Sequence, residues 1–349
     1  MQRVVVYGAY GHTGQFVTAE LLRRGLEPVL SGRDADRLAE LGSRFPGLDQ
    51  RPAAIDDPAA LAAALDGAAV INTAGPFLDT AAPVATAAVR AGVHYLDVSA
   101  EQGAAAALHR ELAADARAAG VAVVPAMAFF GGLADLLATA ALDGRTTAEE
   151  ITVAIALDRW WPTEGTRLTG RRNTATRLVV TDGRLAPLVA APPTTWSFPT
   201  PFDEQEVVDL PFSEIITMAS HLQATTIRSL FAATALRDLR DPDTPTPEAV
   251  DADGRSAQRF VVDVVARTAD GERRVTASGQ DIYAVTAPIV VEAVARILDG
   301  RASAVGVLAP GALLDAADVL HALGREHLTV AVSGAAMAGN RSPREGSDA

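Results

Sequence analysis

Cysteine is absent from the 349 residues, which excludes a disulfide scaffold, thiol catalysis and cysteine-ligated zinc. Lysine is absent as well. All 30 basic residues are arginine, so the chain has no phosphate-loop lysine, no Schiff base and no Tyr-x-x-x-Lys catalytic pair. This Ala- and Arg-rich usage is the bias of a high-GC bacterial genome and carries no functional information. Positive charge is outweighed, with 43 acidic residues and a net charge of −13, which argues against nucleic acid and anionic membrane surfaces as partners. No uninterrupted apolar run spans a bilayer; residues 121–142 come nearest, and Pro125, Gly131, Gly132 and Asp135 break them. The six histidines show no H-x-x-x-H or H-E-x-x-H spacing, so no metal is expected. No signal-like segment precedes the first apolar run, and the expected location is the cytoplasm.

What is present is concentrated at the start. Val4 to Tyr7 read as a buried parallel strand, and Gly8, Gly11 and Gly14 follow before a helical stretch from Gln15 to Arg24. The strand–turn–helix context makes this a dinucleotide cradle: a tight turn at Gly8, a close backbone approach to pyrophosphate at Gly11, and helix-to-strand packing at Gly14. Tyr10, His12 and Thr13 fill the intervening positions of the expected cofactor site. The spacing is G-x-x-G-x-x-G rather than G-x-G-x-x-G; a Gly-rich turn that merely packs tightly is the competing reading. A second strand, Pro28 to Ser31, ends in Ser31-Gly32-Arg33, where a ribose-gripping acid would favour NAD. Arg33 stands there first and suits a 2′-phosphate, which points to NADP(H); the alternative is a solvated Arg33 with Asp34 on the ribose.

Length and a hydrophobic content of 49% favour two domains over one. Strand and helix patterns alternate through the first third, which predicts a six-stranded Rossmann sheet over residues 1–128. From Glu150 the pattern turns to period-two strands with hairpin turns at Asp182-Gly183 and Asp270-Gly271, predicting an inserted α+β substrate domain, 129–283, on a mostly antiparallel sheet. Residues 238–254 form an exposed Pro- and Asp-rich loop. Helical periodicity over 284–338 returns the chain to the Rossmann domain, and 339–349 reads as a disordered tail.

Ligands of open α/β sheets lie beyond the carboxyl ends of the strands. That places Thr73, Ala74, Gly75 and Pro76 beside the nicotinamide ribose, with Phe77 as an apolar wall. It also brings Asp97, Ser99 and Glu101 to the nicotinamide end. Glu101 is a candidate proton donor and Asp97 a residue that orients a neighbour; helix capping is the competing role for all three. Among the histidines His221 is the best candidate acid, against the reading of a satisfied core or surface histidine. Tyr283 stands at the domain junction as either packing or proton donor. Trp160-Trp161-Pro162 reads as a lid, an oligomer contact or plain aromatic packing.

Three segments, Gly8-Ala9-Tyr10-Gly11-His12-Thr13-Gly14, Asn72-Thr73-Ala74-Gly75-Pro76-Phe77 and His94-Tyr95-Leu96-Asp97-Val98-Ser99-Ala100-Glu101, resemble the saccharopine dehydrogenase-like oxidoreductases, which include trans-acting enoyl reductases. The resemblance covers about the first 140 residues firmly. It implies an NADP-type Rossmann domain carrying an inserted substrate domain. The sequence departs from the family pattern at Phe130, Leu133 and Ala134, where an acid, a proline and a hydroxyl are usual, while Asp135 is retained; a more apolar cleft is the consequence. The resemblance implies an NADPH-dependent reductase that transfers a hydride to a C=N or activated C=C bond of a small, largely apolar metabolite. It is expected to form a homodimer through the inserted sheet. An amino-acid-derived imine would need carboxylate-binding arginines, for which Arg159, Arg167, Arg171, Arg172 and Arg228 are available. The alternative is a non-catalytic NADP(H)-binding regulator or scaffold.

Overall fold

A computed structural model describes residues 2–334; the tail expected from 339–349 lies outside them. Among the described residues the strands are β1 (Arg3–Tyr7), β2 (Glu27–Gly32), β3 (Asp49–Pro52), β4 (Ala69–Asn72), β5 (His94–Asp97), β6 (Ala122–Val124), β7 (Thr147–Leu157) and β8 (Leu178–Thr181). They continue as β9 (Arg184–Pro187), β10 (Thr194–Ser197), β11 (Glu204–Asp209), β12 (Gln223–Ala232), β13 (Arg259–Thr268), β14 (Gly271–Gln280), β15 (Gly306–Val307) and β16 (Thr329–Gly334).

The first sheet is wholly parallel, in the order β15-β6-β5-β4-β1-β2-β3, with the chain reversing direction between β1 and β4. Its strands are short apolar runs because both faces are covered, so a period-two pattern never develops. Helices 58–64, 77–91 and 102–119 pack one face around Val5, Val70 and Tyr95; helices 12–23, 35–44 and 286–298 pack the other around Val4, Val6 and Ile71. The expectation of six strands is exceeded by one. The seventh, β15, comes from the returning segment and is only two residues long.

The second sheet runs β10-β11-β12-β7-β13-β14-β16, with β8 paired to β12 and β9 to β8; every pairing is antiparallel except β7 with β12. Large residues alternate with small ones along β7. Ile151, Val153, Ile155 and Leu157 face the main core, while Ala154 and Ala156 lie under Phe198 and Phe202. The hairpin at Asp182-Gly183 forms as expected, both residues having positive φ, the geometry a two-residue type I′ turn needs. The return of the chain is not purely helical: β15 joins the first sheet, but β16 pairs with β14 of the second, so the final segment ties the two domains together. Among the described residues no helix is long and apolar enough to cross a membrane.

Candidate functional site: an interdomain cleft

A cleft of about 1460 Å³ runs from the first βα turn across the carboxyl ends of β1, β2 and β4 to the second domain. At its nucleotide end the turn is set by sterics. Gly8 has φ +86° and would bring a Cβ within 2.8 Å of Ala74 N; a Cβ on Gly14 would meet Gly8 O at 2.4 Å. No side chain caps helix 12–23 and its first turn holds no acid, so its free N–H groups and positive dipole end remain for an anion. His12 opens that helix with its Nε2 buried and, among the described residues, unpartnered, and burial lowers its pKa against an opposing pull from Asp281. An uncapped helix, a glycine-lined approach and an orphaned imidazole nitrogen together fit a pyrophosphate and its ribose.

The 2′-phosphate end is also legible. Arg33 is exposed and lines the cleft. Asp34, the rival for the ribose, instead caps helix 35–44 by accepting from Arg37 N at 3.0 Å. Arg37, which the sequence reading passed over, lies over the Tyr10 ring at 4.4 Å and supplies a second guanidinium. Its position four residues beyond Arg33, at the start of a helix, was the available signal. Tyr10, Gly11, His12, Thr13, Gly32, Thr73, Ala74, Gly75 and Pro76 line the same cleft with Gly8 and Arg33. Two expected cofactor residues do not. Gly14 is buried beneath the turn, and Ser31 is fully buried, its hydroxyl donating to Arg51 O while its carbonyl accepts from Gly8 and Ala9. Both shape the cradle from below.

The expected catalytic trio is distributed over different surroundings. Glu101 reaches the cleft, but its two oxygens accept from Phe77 N (2.7 Å) and Leu78 N (3.1 Å), capping helix 77–91 from a neighbouring strand end. Burial raises its pKa, opposed by those two hydrogen bonds. Asp97 is fully buried and does not line the cleft; it accepts from Ser99 N, Ala126 N and the Tyr95 hydroxyl, joining β5 to the corner after β6. His221 also lies away from the cleft. Its Nε2 pairs at 2.7 Å with the wholly buried Asp135, which also accepts from Gly311 N, so this dyad joins the helix of residues 132–142 to the returning segment. Local sequence could not show this, because both roles depend on contacts made far along the chain.

The phenol of Tyr283 also lines the cleft. Asp281, buried at positive φ, accepts from Ser256 N, Tyr283 N and Ala284 N, and so fixes the start of the segment. The Tyr283 oxygen accepts from Trp160 Nε1 (3.1 Å) and Thr163 N (3.3 Å) and lies 2.9 Å from Thr166 Oγ1. Two N–H donors occupy its lone pairs, so its own proton is directed to Thr166. The ring meets His12 edge-on at 5.4 Å, across the domain boundary. Beyond it Phe130, Trp160 and Phe212 line an aromatic chamber with Phe231 packed behind them, the Phe130 and Phe212 centroids being 4.2 Å apart. The acid-to-Phe departure at 130 therefore lines the cleft, whereas Leu133 and Ala134 are buried behind it. Helix 164–172 roofs the cleft, tied to the nucleotide domain by the Arg172–Asp79 ion pair at 2.9 Å. Among the described residues no group of acids and histidines is arranged to hold a metal.

The description "saccharopine dehydrogenase NADP binding domain" matches residues 4–124. No curated protein matches significantly. Among solved structures the apo, histidine-tagged saccharopine dehydrogenase (L-Glu forming) from Saccharomyces cerevisiae is 15% identical with a TM-score of 0.66, the alignment covering 96% of this chain and 100% of that one. An amine dehydrogenase from Mycobacterium smegmatis aligns at 13% identity over 90% of this chain and 96% of its own, with a TM-score of 0.49. The yeast enzyme carries the argument for the fold: both domains are shared, not the first alone. Residues 4–124 thus match a saccharopine dehydrogenase NADP binding domain, and the two-domain fold is that of the yeast enzyme.

Proposed function

We propose that the chain is an NADPH-dependent reductase acting on the C=N or activated C=C bond of a small, largely apolar metabolite, in the manner of the trans-acting enoyl reductases. The observation that carries this reading is the continuity of one cleft, with a dinucleotide cradle at one end and an aromatic chamber holding a hydrogen-bonded phenol at the other. NADPH, when bound, supplies the hydride. Everything else falls to the protein. The Gly8–Thr13 turn and the uncapped helix hold the pyrophosphate, and Arg33 with Arg37 hold the 2′-phosphate. Helix 164–172 excludes water from the covered face. The Tyr283–Thr166 pair delivers a proton to the end of the double bond that does not take the hydride, so one hydride and one proton add across the bond. The N–H groups of Trp160 and Thr163 already point at the phenol oxygen and stabilise the phenolate left behind.

The test is NADPH oxidation against a panel of cyclic imines and conjugated enones and enoates. Tyr283→Phe is expected to lower kcat by about 10²-fold or more without changing NADPH affinity. Unchanged turnover in that variant removes the proton-donor assignment. NADPH binding with no oxidation by any substrate favours the non-catalytic reading instead. Self-association through the second domain belongs to the same proposal: β16 is a sheet edge, and its Val332 is 63% exposed.

A further inference from the structure

Two cations lining the cleft, Arg177 and Arg240, have no use in the reaction above, and of these only Arg177 is withdrawn from solvent. Arg177 leads into the β8–β9 hairpin on the second-domain wall and lines the cleft, half-buried. Its guanidinium lies over the Phe212 ring at 5.0 Å, and one N–H group goes to the Pro211 carbonyl. Burial lowers its pKa, against an opposing pull from Glu214. Glu214 is itself wholly buried, accepts from Phe212 N, and makes no ion pair with the arginine. A partly desolvated guanidinium with one of its five N–H groups used and, among the described residues, no counter-ion in contact has donors left for an anion from outside the chain.

The other arginines that could bind a carboxylate are already engaged or exposed. Arg159, Arg172 and Arg228 pair with Asp158, Asp79 and Asp209, Arg167 donates to the carbonyls of Asp241 and Thr244, and Arg171 is exposed. Beside Arg177 the walls are aromatic, from Phe130, Trp160 and Phe212.

We propose that Arg177 anchors a carboxylate of the substrate, and that the substrate is a monocarboxylic acid whose flat or apolar body lies against Phe130 and Trp160. One available guanidinium in an apolar chamber suits one carboxylate, held by paired N–H bonds. The inference deepens the reductase reading, yet the binding it asserts can be measured without turnover.

The experiment titrates 3-phenylpropionate and its neutral isostere, 3-phenylpropionamide, by calorimetry into the protein, with and without saturating NADP⁺. The acid is expected to bind at least about tenfold more tightly than the amide, the difference one charge-assisted pair makes. Arg177→Met should abolish that preference and Arg177→Lys retain part of it, with NADPH affinity and melting temperature close to wild type in both. Equal binding of acid and amide, binding of neither, or a preference that survives Arg177→Met in folded protein overturns the proposal. Failure to bind NADPH would instead defeat the reductase reading, while the acid-over-amide comparison in cofactor-free protein still decides the role of Arg177.

Discussion

Removing Arg33 should convert a cofactor preference into near-indifference, and the size of the effect can be worked out from the site. Arg33 is exposed and ion-pairs with no acid among the described residues, so truncation to alanine leaves no orphaned partner behind. What is lost is its charge-assisted contact with the 2′-phosphate, about 1.5–3 kcal/mol, with the lower figure apt for an exposed group. That corresponds to roughly a tenfold rise in Kd for NADPH. NADH lacks the phosphate and should be unaffected. Arg37→Ala should act in the same direction, with a small added cost to both cofactors because the face of Tyr10 is uncovered. The two guanidinia share one phosphate, so their effects will not add; the double variant should lose about 2–3 kcal/mol for NADPH and only the small Arg37 cost for NADH. Fluorescence titration of both cofactors against the four proteins gives the ratio directly, and the wild-type preference should shrink as salt is raised. If NADH and NADPH affinities fall together, or if neither moves, the 2′-phosphate assignment is refuted.

The glycines of the turn should separate folding from binding. Gly14→Ala places a Cβ 2.4 Å from a backbone oxygen and should destabilise the protein by about 1–3 kcal/mol, whereas Gly11→Val should fold normally and fail to bind NADPH by calorimetry; the reverse pattern would reject this account of the cradle. His221→Ala should cost about 1.5–3 kcal/mol of stability by taking a hydrogen bond from buried Asp135 and leave kcat within about threefold; a large drop in kcat at unchanged melting temperature would restore His221 as an acid. Asp97, pushed up to about 6 by burial from 3.8, keeps its proton in the folded state at pH values where the unfolded chain has lost it. Folding therefore takes up a proton in that window and stability falls as pH rises from about 4 to 6, by on the order of 3 kcal/mol. Denaturant titrations should show the difference between wild type and Asp97→Asn declining over that range and level above it, and a constant difference would disprove the linkage.

How much of this was legible in the sequence depended on the range of the interactions involved. The cradle was readable because strand, turn and helix follow one another without a break from Arg3 to Arg23 and steric demands at Gly8 and Gly14 act locally. The hairpin at Asp182-Gly183 was readable for the same reason: two residues alone set the turn. Acidic charge, missing lysine and missing cysteine excluded whole classes of chemistry before any fold was known. Residue type at a strand end did not decide catalytic role. Glu101 and Asp97 stand where a proton donor was expected, but N–H groups from residues 77, 78, 99 and 126 claim their oxygens. His221 had no local feature to reveal Asp135, 86 positions earlier. Tyr283 and Arg177 make their hydrogen bonds with Trp160, Thr163 and Thr166 and with Pro211 within the second domain, because hydrogen-bond direction and desolvation are set by neighbours that the linear order keeps far apart.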